Sequence, residues 1–183
     1  MMNPHLSKKN PAGRLAIALS LWACLASSTL AQVYDLPTFR QQALDAHNRW
    51  RQQHNAEPLA LDDALNTLAQ EWANNLAKRD VVEHRPGSNF GENIYAAWGS
   101  ASPFDVHGRV AVQAWYDEIK LYNFNKPDFS MATGHFTQVV WKGSRVVGCG
   151  KAKSSTGKVF VVCNYDPQGN FLGQFQDNVI RAK

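Results

Sequence analysis

The sequence contains few cysteines, no long apolar run and none of the common enzyme signatures. It has no His-Glu-x-x-His zincin motif, no Gly-x-Ser-x-Gly nucleophile elbow and no glycine-rich phosphate loop. No cluster of Lys and Arg follows Lys9. Since a nucleic-acid binder needs a basic face, we expect no nucleic-acid partner. Internal repeats, long linkers and low-complexity tracts are also lacking, which favours one ordinary folded domain.

The N-terminus has the pattern of a secretory signal peptide. Three cations lie within residues 8–14, an apolar run extends from Leu15 to Leu25, and small residues end at Ala31. The run is well short of the roughly 20 residues that a transmembrane helix needs. We therefore predict that residues 1–31 are a cleaved leader and that the protein is secreted, to the medium or a periplasm, without a transmembrane segment.

Lipid attachment at Cys24 is the alternative to free secretion. Residues 21–24 loosely resemble a lipobox, but Trp22 fits that pattern poorly and a good soluble cleavage site follows. Removal of the leader takes away three cations and no acid, so the formal charge falls from +4 to about +1. The high isoelectric point of the whole chain therefore says little about its partners. Residues 32–183 suit a single domain with a sizeable core.

Two of the three cysteines, Cys149 and Cys163, remain after the leader. An even pair in an exported protein predicts a disulfide. Residues 146–149 and 158–163 have strand composition and flank a turn-rich segment at 154–157. Because the midpoint between the cysteines falls inside that turn, a regular hairpin would place them opposite each other. A catalytic thiol, the alternative, would need one of them free.

The pattern of apolar residues predicts helices first and strands later. Phe39, Ala43, Ala46 and Trp50 mark one side of a helix over residues 37–55, and Asp62 is a predicted cap for a second helix. This order favours an α+β fold. The remaining predicted elements are a strand at 93–97, a third helix at 104–122, an irregular loop at 123–133, and strands at Phe136–Trp141, Val146–Lys151 and Lys158–Tyr165.

Several segments, in order and with compatible spacing, resemble one protein family. They are Gly134–Trp141, Phe160–Phe171, Gly91–Ile94, Trp115–Glu118, the His47-Asn48 pair and Leu59. The chain resembles the cysteine-rich secretory, antigen five and pathogenesis-related class one proteins, known as the CAP or SCP family. The resemblance covers nearly all of residues 32–183. It implies a three-layer α-β-α sandwich around a central, mostly antiparallel sheet.

The resemblance also implies a surface cleft that holds His84, Glu92, Glu118 and His135. Neutral imidazoles are good zinc ligands, and neighbouring glutamates can ligate the metal, orient a histidine or activate a water. We predict a Zn²⁺ site at His84 and His135. The same four side chains could instead satisfy one another in a purely structural role. Arg85, where relatives often have serine, would either disfavour a metal or pair with Glu83.

The loop before His135 places Tyr122, Phe124, Phe129 and Met131 beside the expected cleft. It occupies the place where sterol-binding relatives carry an aromatic-rich loop, and apolar groups next to a cavity often mark an interaction site. We interpret it as a candidate ligand loop. Ordinary packing of Tyr122 and Phe124 against the sheet is the alternative. His47, His54 and His107 are not assigned to the site; we expect them to be exposed or to pack against helices.

Two function classes follow from these observations. The preferred one is a non-enzymatic secreted binding module, with the cleft for a divalent metal and the apolar surface for a sterol, fatty acid or protein partner. The other is a metal-assisted or His/Glu-dependent hydrolase acting on peptides or cell-wall polymers. In the second case Glu92 and Glu118 are the catalytic candidates.

Overall fold

The computed structural model describes residues 35–101 and 104–183. The predicted leader, residues 1–31, and the alternative lipid site at Cys24 lie outside the described residues. The elements run α1 Leu36–Gln53, β1 Ala60–Leu61, α2 Asp63–Arg79, β2 Gly91–Ala97, α3 Gly108–Tyr116, a 3₁₀ helix Asp117–Leu121, α4 Gly134–Val140, β3 Val146–Lys153, β4 Val159–Asp166 and α5 Phe175–Asn178.

Both long helices begin at side-chain caps. Before α1, Asp35 accepts a hydrogen bond from the Thr38 N–H at 2.8 Å, and Pro37 lies in the first turn. Before α2, Asp62 accepts from the Leu65 N–H, also at 2.8 Å, which confirms the predicted cap. These bonds satisfy N–H groups that a helix leaves unpaired at its start.

The four strands form one sheet in the order β1-β3-β4-β2. β3 and β4 form an antiparallel hairpin, and β4 pairs antiparallel with β2 on its other side. β1 runs parallel to β3. Cys149 lies directly opposite Cys163 in the hairpin, and the two form a disulfide with their Cα atoms 4.2 Å apart. The predicted disulfide and the mostly antiparallel sheet are thus confirmed.

The sheet lies between two helical layers. Alternate residues of β4 face opposite sides of the sheet, and each set packs against different helices. Phe160 and Val162 pack with α2 in one core cluster. Val161, Cys163 and Tyr165 belong to the other cluster, together with α1, α3 and α4. The three-layer α-β-α fold is confirmed. None of the helices within residues 35–101 and 104–183 is both long and apolar enough to cross a membrane.

Two glycines of β3 allow α2 to approach the sheet closely. A Cβ atom added to Gly148 would lie 2.1 Å from the backbone nitrogen of Asn66. One added to Gly150 would lie 2.4 Å from the Cα of Gln70. Because both contacts are with helix backbone, which cannot rotate away, only glycine fits at these positions.

Two sequence-based predictions need correction, and one strand was not predicted. The segment Phe136–Trp141, expected to be a strand from its aromatic and β-branched residues, lies largely in helix α4; tertiary contacts override local propensity here. The third helix is shorter than 104–122, with α-helix only at Gly108–Tyr116 before the 3₁₀ helix. Strand β1 was not predicted, since its two residues carry no periodic signal.

A buried arginine fixes the C-terminal end of α4. The Arg51 guanidinium donates to the carbonyls of Glu57, Val139, Trp141 and Ser144 at 2.8–3.2 Å. Burial lowers the pKa of Arg51 to about 10, so the group remains charged at neutral pH. The charge is therefore solvated by carbonyl dipoles, which tie α1 to the helix that carries His135.

Candidate functional site

His135 is held by a glutamate from the 3₁₀ helix. Its Nδ1 lies 2.7 Å from Oε1 of Glu118, and its ring stacks on Trp115 with centroids 6.2 Å apart. The His135 side chain is 32% exposed and the Glu118 side chain 21%. The imidazole is therefore oriented on two sides while part of it still reaches solvent.

The second oxygen of Glu118 explains why α4 starts where it does. Oε2 accepts the backbone N–H groups of His135 and Phe136, each at 3.1 Å. Thr133, the capping residue, makes no side-chain cap bond of its own. Glu118 thus supplies the cap from a distant element, and its negative charge is favourable at a helix start. One carboxylate both orients His135 and stabilises the helix that carries it.

His84 is held in the same way by a glutamate from β2. Its Nδ1 lies 2.8 Å from Oε1 of Glu92, and that oxygen also accepts the Arg85 N–H at 3.0 Å. The His84 side chain is 65% exposed, whereas the Glu92 side chain is only 6% exposed. The bond to the Glu92 carboxylate raises the pKa of His84, because it stabilises the imidazolium. Oε2 of Glu92 is buried without a hydrogen-bond partner among the described residues.

The alternative in which Arg85 pairs with Glu83 is not found. Arg85 reaches α2 instead, where it donates to the Leu68 carbonyl at 3.2 Å and lies 3.6 Å from a Glu71 carboxylate oxygen. Glu83 forms its ion pair with Arg79. The positive charge next to His84 is therefore partly neutralised by α2.

His84, Glu92 and His135 line one cleft of about 340 Å³. Glu118 does not line this cleft; it contacts His135 and acts through it. The four predicted side chains therefore form two separate His/Glu pairs. The histidine of each pair lines the cleft. The lining also includes Arg85, which the sequence placed next to His84, and residues that were not assigned to the site: Ser88, Phe90, Gly91, Asn93, Gly134, Gln138, Gly169 and Asn170.

A buried hydrogen-bonded chain connects the cleft to α1. Asn93 Nδ2 donates to the His135 carbonyl at 3.1 Å and to the Tyr165 hydroxyl at 3.2 Å. The hydroxyl lies 2.8 Å from Nε2 of His47, whose Nδ1 lies 2.8 Å from the Ala43 carbonyl. Since that carbonyl can only accept, His47 carries its proton on Nδ1 and accepts from Tyr165.

Burial favours the neutral forms of the two ionisable groups in this hydrogen-bonded chain, His47 and Tyr165. It lowers the pKa of His47 to about 4 and raises that of Tyr165, so both are neutral at pH 7. His47 and His54 are buried helix-packing residues, within what the sequence led us to expect. The supporting roles of Asn93 and Tyr165 were missed. Both lie inside the family-like segments, but nothing in their spacing indicates that they bond to each other.

The two cleft histidines have the donor chemistry that zinc prefers. Each Nδ1–H donates to a carboxylate, which fixes the tautomer that keeps the Nε2 lone pair for a metal. Neither Nε2 is hydrogen-bonded to a described residue. Within residues 35–101 and 104–183, no group of three or more His, Cys, Asp or Glu side chains is placed to hold a metal. A zinc ion would take its other ligands from water or a bound molecule.

Comparison with known proteins decides the family. The family model described as the cysteine-rich secretory protein family, CAP, matches residues 44–165. This chain belongs to the CAP family. The match contains Glu92, Glu118 and both cleft histidines, so the two His/Glu pairs lie inside the CAP domain.

Individual relatives agree with this assignment. Human Golgi-associated plant pathogenesis-related protein 1 is 43% identical over 150 residues, which cover 79% of this CAP chain and 94% of the human protein. Secreted protein PRY1 of Candida albicans is 39% identical over 144 residues, 78% of this chain and 32% of the fungal protein. Among solved structures, BmVAL-1 is 25% identical with a TM-score of 0.65, covering 83% of this chain and 86% of that chain.

The aromatic loop of this CAP chain divides into two parts. Tyr122 is buried and Phe124 half-buried; both pack against Phe136 of α4, with ring centroids 5.4 and 6.2 Å away. Phe129 and Met131 line the cleft and are 43% and 81% exposed. Of the four, only Phe129 and Met131 line the cleft.

A larger groove of about 650 Å³ lies between α1 and α3 of the CAP domain. Its lining includes Trp50, Val110, Arg49 and Arg109. None of the four predicted cleft residues reaches it. The larger volume therefore does not make this groove the candidate functional site. The smaller cleft is the candidate because two glutamate-paired histidines line it.

Proposed function

We propose that the protein is a secreted binding module whose cleft holds a divalent metal, zinc in the first instance, through Nε2 of His84 and of His135. The observation that carries the proposal is the repeated arrangement: two imidazoles on one cleft, each with Nδ1 occupied by a glutamate. A structural His/Glu pair needs no second copy on the same cleft. Two such pairs provide two preoriented ligand atoms.

The rim of the cleft supports a second part of the proposal, the binding of an apolar ligand or partner. Phe129 and Met131 are exposed there, and Phe171 and Leu172, which follow the cleft residue Asn170, are 44% and 76% exposed. Such a patch beside a polar cavity suits an amphipathic molecule, with its polar group at the metal and its apolar part on the rim. A sterol, a fatty acid or the surface of another protein has this character.

Export is proposed from the leader-like residues 1–31. The secreted fungal relative supports it, as does the disulfide, which persists in oxidising compartments.

Calorimetric zinc titration tests the metal site. We expect one zinc per chain for the wild type and none for the double variant His84→Ala/His135→Ala. His107→Ala, which changes a histidine outside the cleft, is the matched control and should bind as the wild type does. Equal binding by wild type and double variant, or no binding by either, would refute the metal site.

The hydrolase alternative has one observation in its favour, the buried Glu92 oxygen without a described partner, which could accept a proton from water. Glu92→Gln removes that basicity with little change in shape. Turnover of peptides or cell-wall polymers that disappears in this variant would favour the hydrolase; absence of turnover in the wild type favours the binding module.

A further inference from the structure

Met131 is the only methionine among residues 35–183, and it is not packed in the core. Its side chain is 81% exposed and lines the same cleft as His84 and His135. Methionine in globular proteins normally fills irregular gaps in the interior or serves a binding surface. Met131 fills no gap, and its sulfur is a donor atom for soft metal ions.

Met131 is close to His135 along the chain and lines the same cleft. Met131 begins the turn that leads into α4, four positions before His135. Ser130 closes the turn: its Oγ accepts the Ala132 N–H at 3.2 Å and its carbonyl accepts the Thr133 N–H at 3.0 Å. The backbone is therefore fixed, while the unbranched side chain can rotate to bring its sulfur toward an ion in the cleft.

The combination of donors points to a particular metal. Imidazole nitrogen suits both zinc and copper, whereas thioether sulfur is a soft ligand that favours Cu⁺ over Zn²⁺. Imidazole nitrogen and thioether sulfur bind a metal as neutral donors. The negative charges of Glu92 and Glu118 lie behind the two histidines, each hydrogen-bonded to an Nδ1 atom. Zn²⁺ is borderline in softness and gains less from a thioether than Cu⁺ does. The sulfur therefore acts as a third ligand chiefly for the cuprous ion.

We propose that His84, His135 and Met131 form a site for the cuprous ion, with both Nε2 atoms and the Met131 sulfur as ligands. This rests on the proposed function, because the two histidines are the same. It adds that Met131 gives the cleft a preference for Cu⁺ that two histidines alone would not have.

The test is anaerobic competition for Cu⁺ against a chromogenic cuprous chelator, beside zinc calorimetry on the same proteins. The variant is Met131→Leu, which keeps size and apolarity and removes the sulfur. Met131→Leu/Leu121→Met restores one exposed thioether at Leu121, which does not line the cleft. Copper-edge X-ray absorption then reports sulfur in the coordination shell.

We expect Met131→Leu to weaken Cu⁺ binding by at least about tenfold, as loss of even an outer-shell partner does, to leave zinc binding unchanged, and to lose the copper–sulfur signal. The Leu121→Met addition should restore neither. Equal Cu⁺ affinity in wild type and Met131→Leu would overturn the proposal while the zinc site stands. Equal loss of zinc and copper would overturn the selectivity. A wild type that binds neither metal would refute the proposed function itself.

Discussion

Acid should weaken this fold through His47, the fully buried histidine of α1. Its neutral form is required, since Nε2 accepts the Tyr165 hydroxyl and Nδ1–H donates to the Ala43 carbonyl. Burial lowers its pKa to about 4, against 6.5 for an exposed histidine. The unfolded chain therefore binds the proton first as the pH falls. The stabilisation is fully present above pH 6.5 and is lost progressively down to pH 4.

The magnitude follows from the two pKa values. Linkage gives a loss in the free energy of unfolding of about 2 kcal/mol at pH 5 and about 3 kcal/mol at pH 4 from this one group. His54 acts in the same direction, because burial lowers its pKa too. His84 acts oppositely, because its bond to Glu92 raises its pKa; that contribution is present at low pH and lost as the pH rises.

Urea unfolding followed by tryptophan fluorescence, repeated from pH 7 to pH 5, measures the effect. His47→Gln should reduce the slope of unfolding free energy against pH by about 1 kcal/mol per pH unit, whatever it does to stability at pH 7. His84→Gln is the matched control, and should change the slope in the opposite direction. An unchanged slope in His47→Gln would refute the assigned protonation and the buried chain built on it.

Two further predictions concern Glu118 and Gly148. Glu118→Gln should lower the free energy of unfolding by about 1–3 kcal/mol, because an amide cannot accept all three hydrogen bonds. It should also weaken zinc binding about 10–100-fold. Urea unfolding measures the first effect and calorimetry the second, and the neighbouring Asp117→Asn is the control that should behave as the wild type does. Gly148→Ala should cost about 3 kcal/mol in urea unfolding by forcing α2 off the sheet. Gly143→Ala, whose Cβ would meet only side-chain atoms at 3.1 Å or more, should cost less. Similar losses for both glycine variants would contradict the close packing.

The sequence predicted the parts of the fold that local rules control. The apolar stripe located α1, the cap at Asp62 located the start of α2, and the symmetric turn between Cys149 and Cys163 located the hairpin. It failed at Phe136–Trp141, where strand-forming residues lie in a helix. The cap of that helix comes from Glu118, sixteen positions before Gly134, and no local pattern reports such a contact.

The site was predictable by residue but not by arrangement. The family resemblance named His84, Glu92, Glu118 and His135, yet it did not indicate that Glu118 lies outside the cleft lining. Nor did it separate the packed half of the aromatic loop from the exposed half. These features depend on which side chains meet across the fold, which spacing along the chain does not determine.

The central claim is that both cleft histidines bind one metal through Nε2. Anomalous diffraction at the zinc edge from zinc-soaked crystals tests it most directly. The account predicts one strong peak in the cleft, about 2.0–2.1 Å from Nε2 of His84 and of His135, with both Nδ1 atoms still on Glu92 and Glu118. A cleft without a peak, or a zinc ion bound through Nδ1 with the glutamate pairs broken, would contradict it.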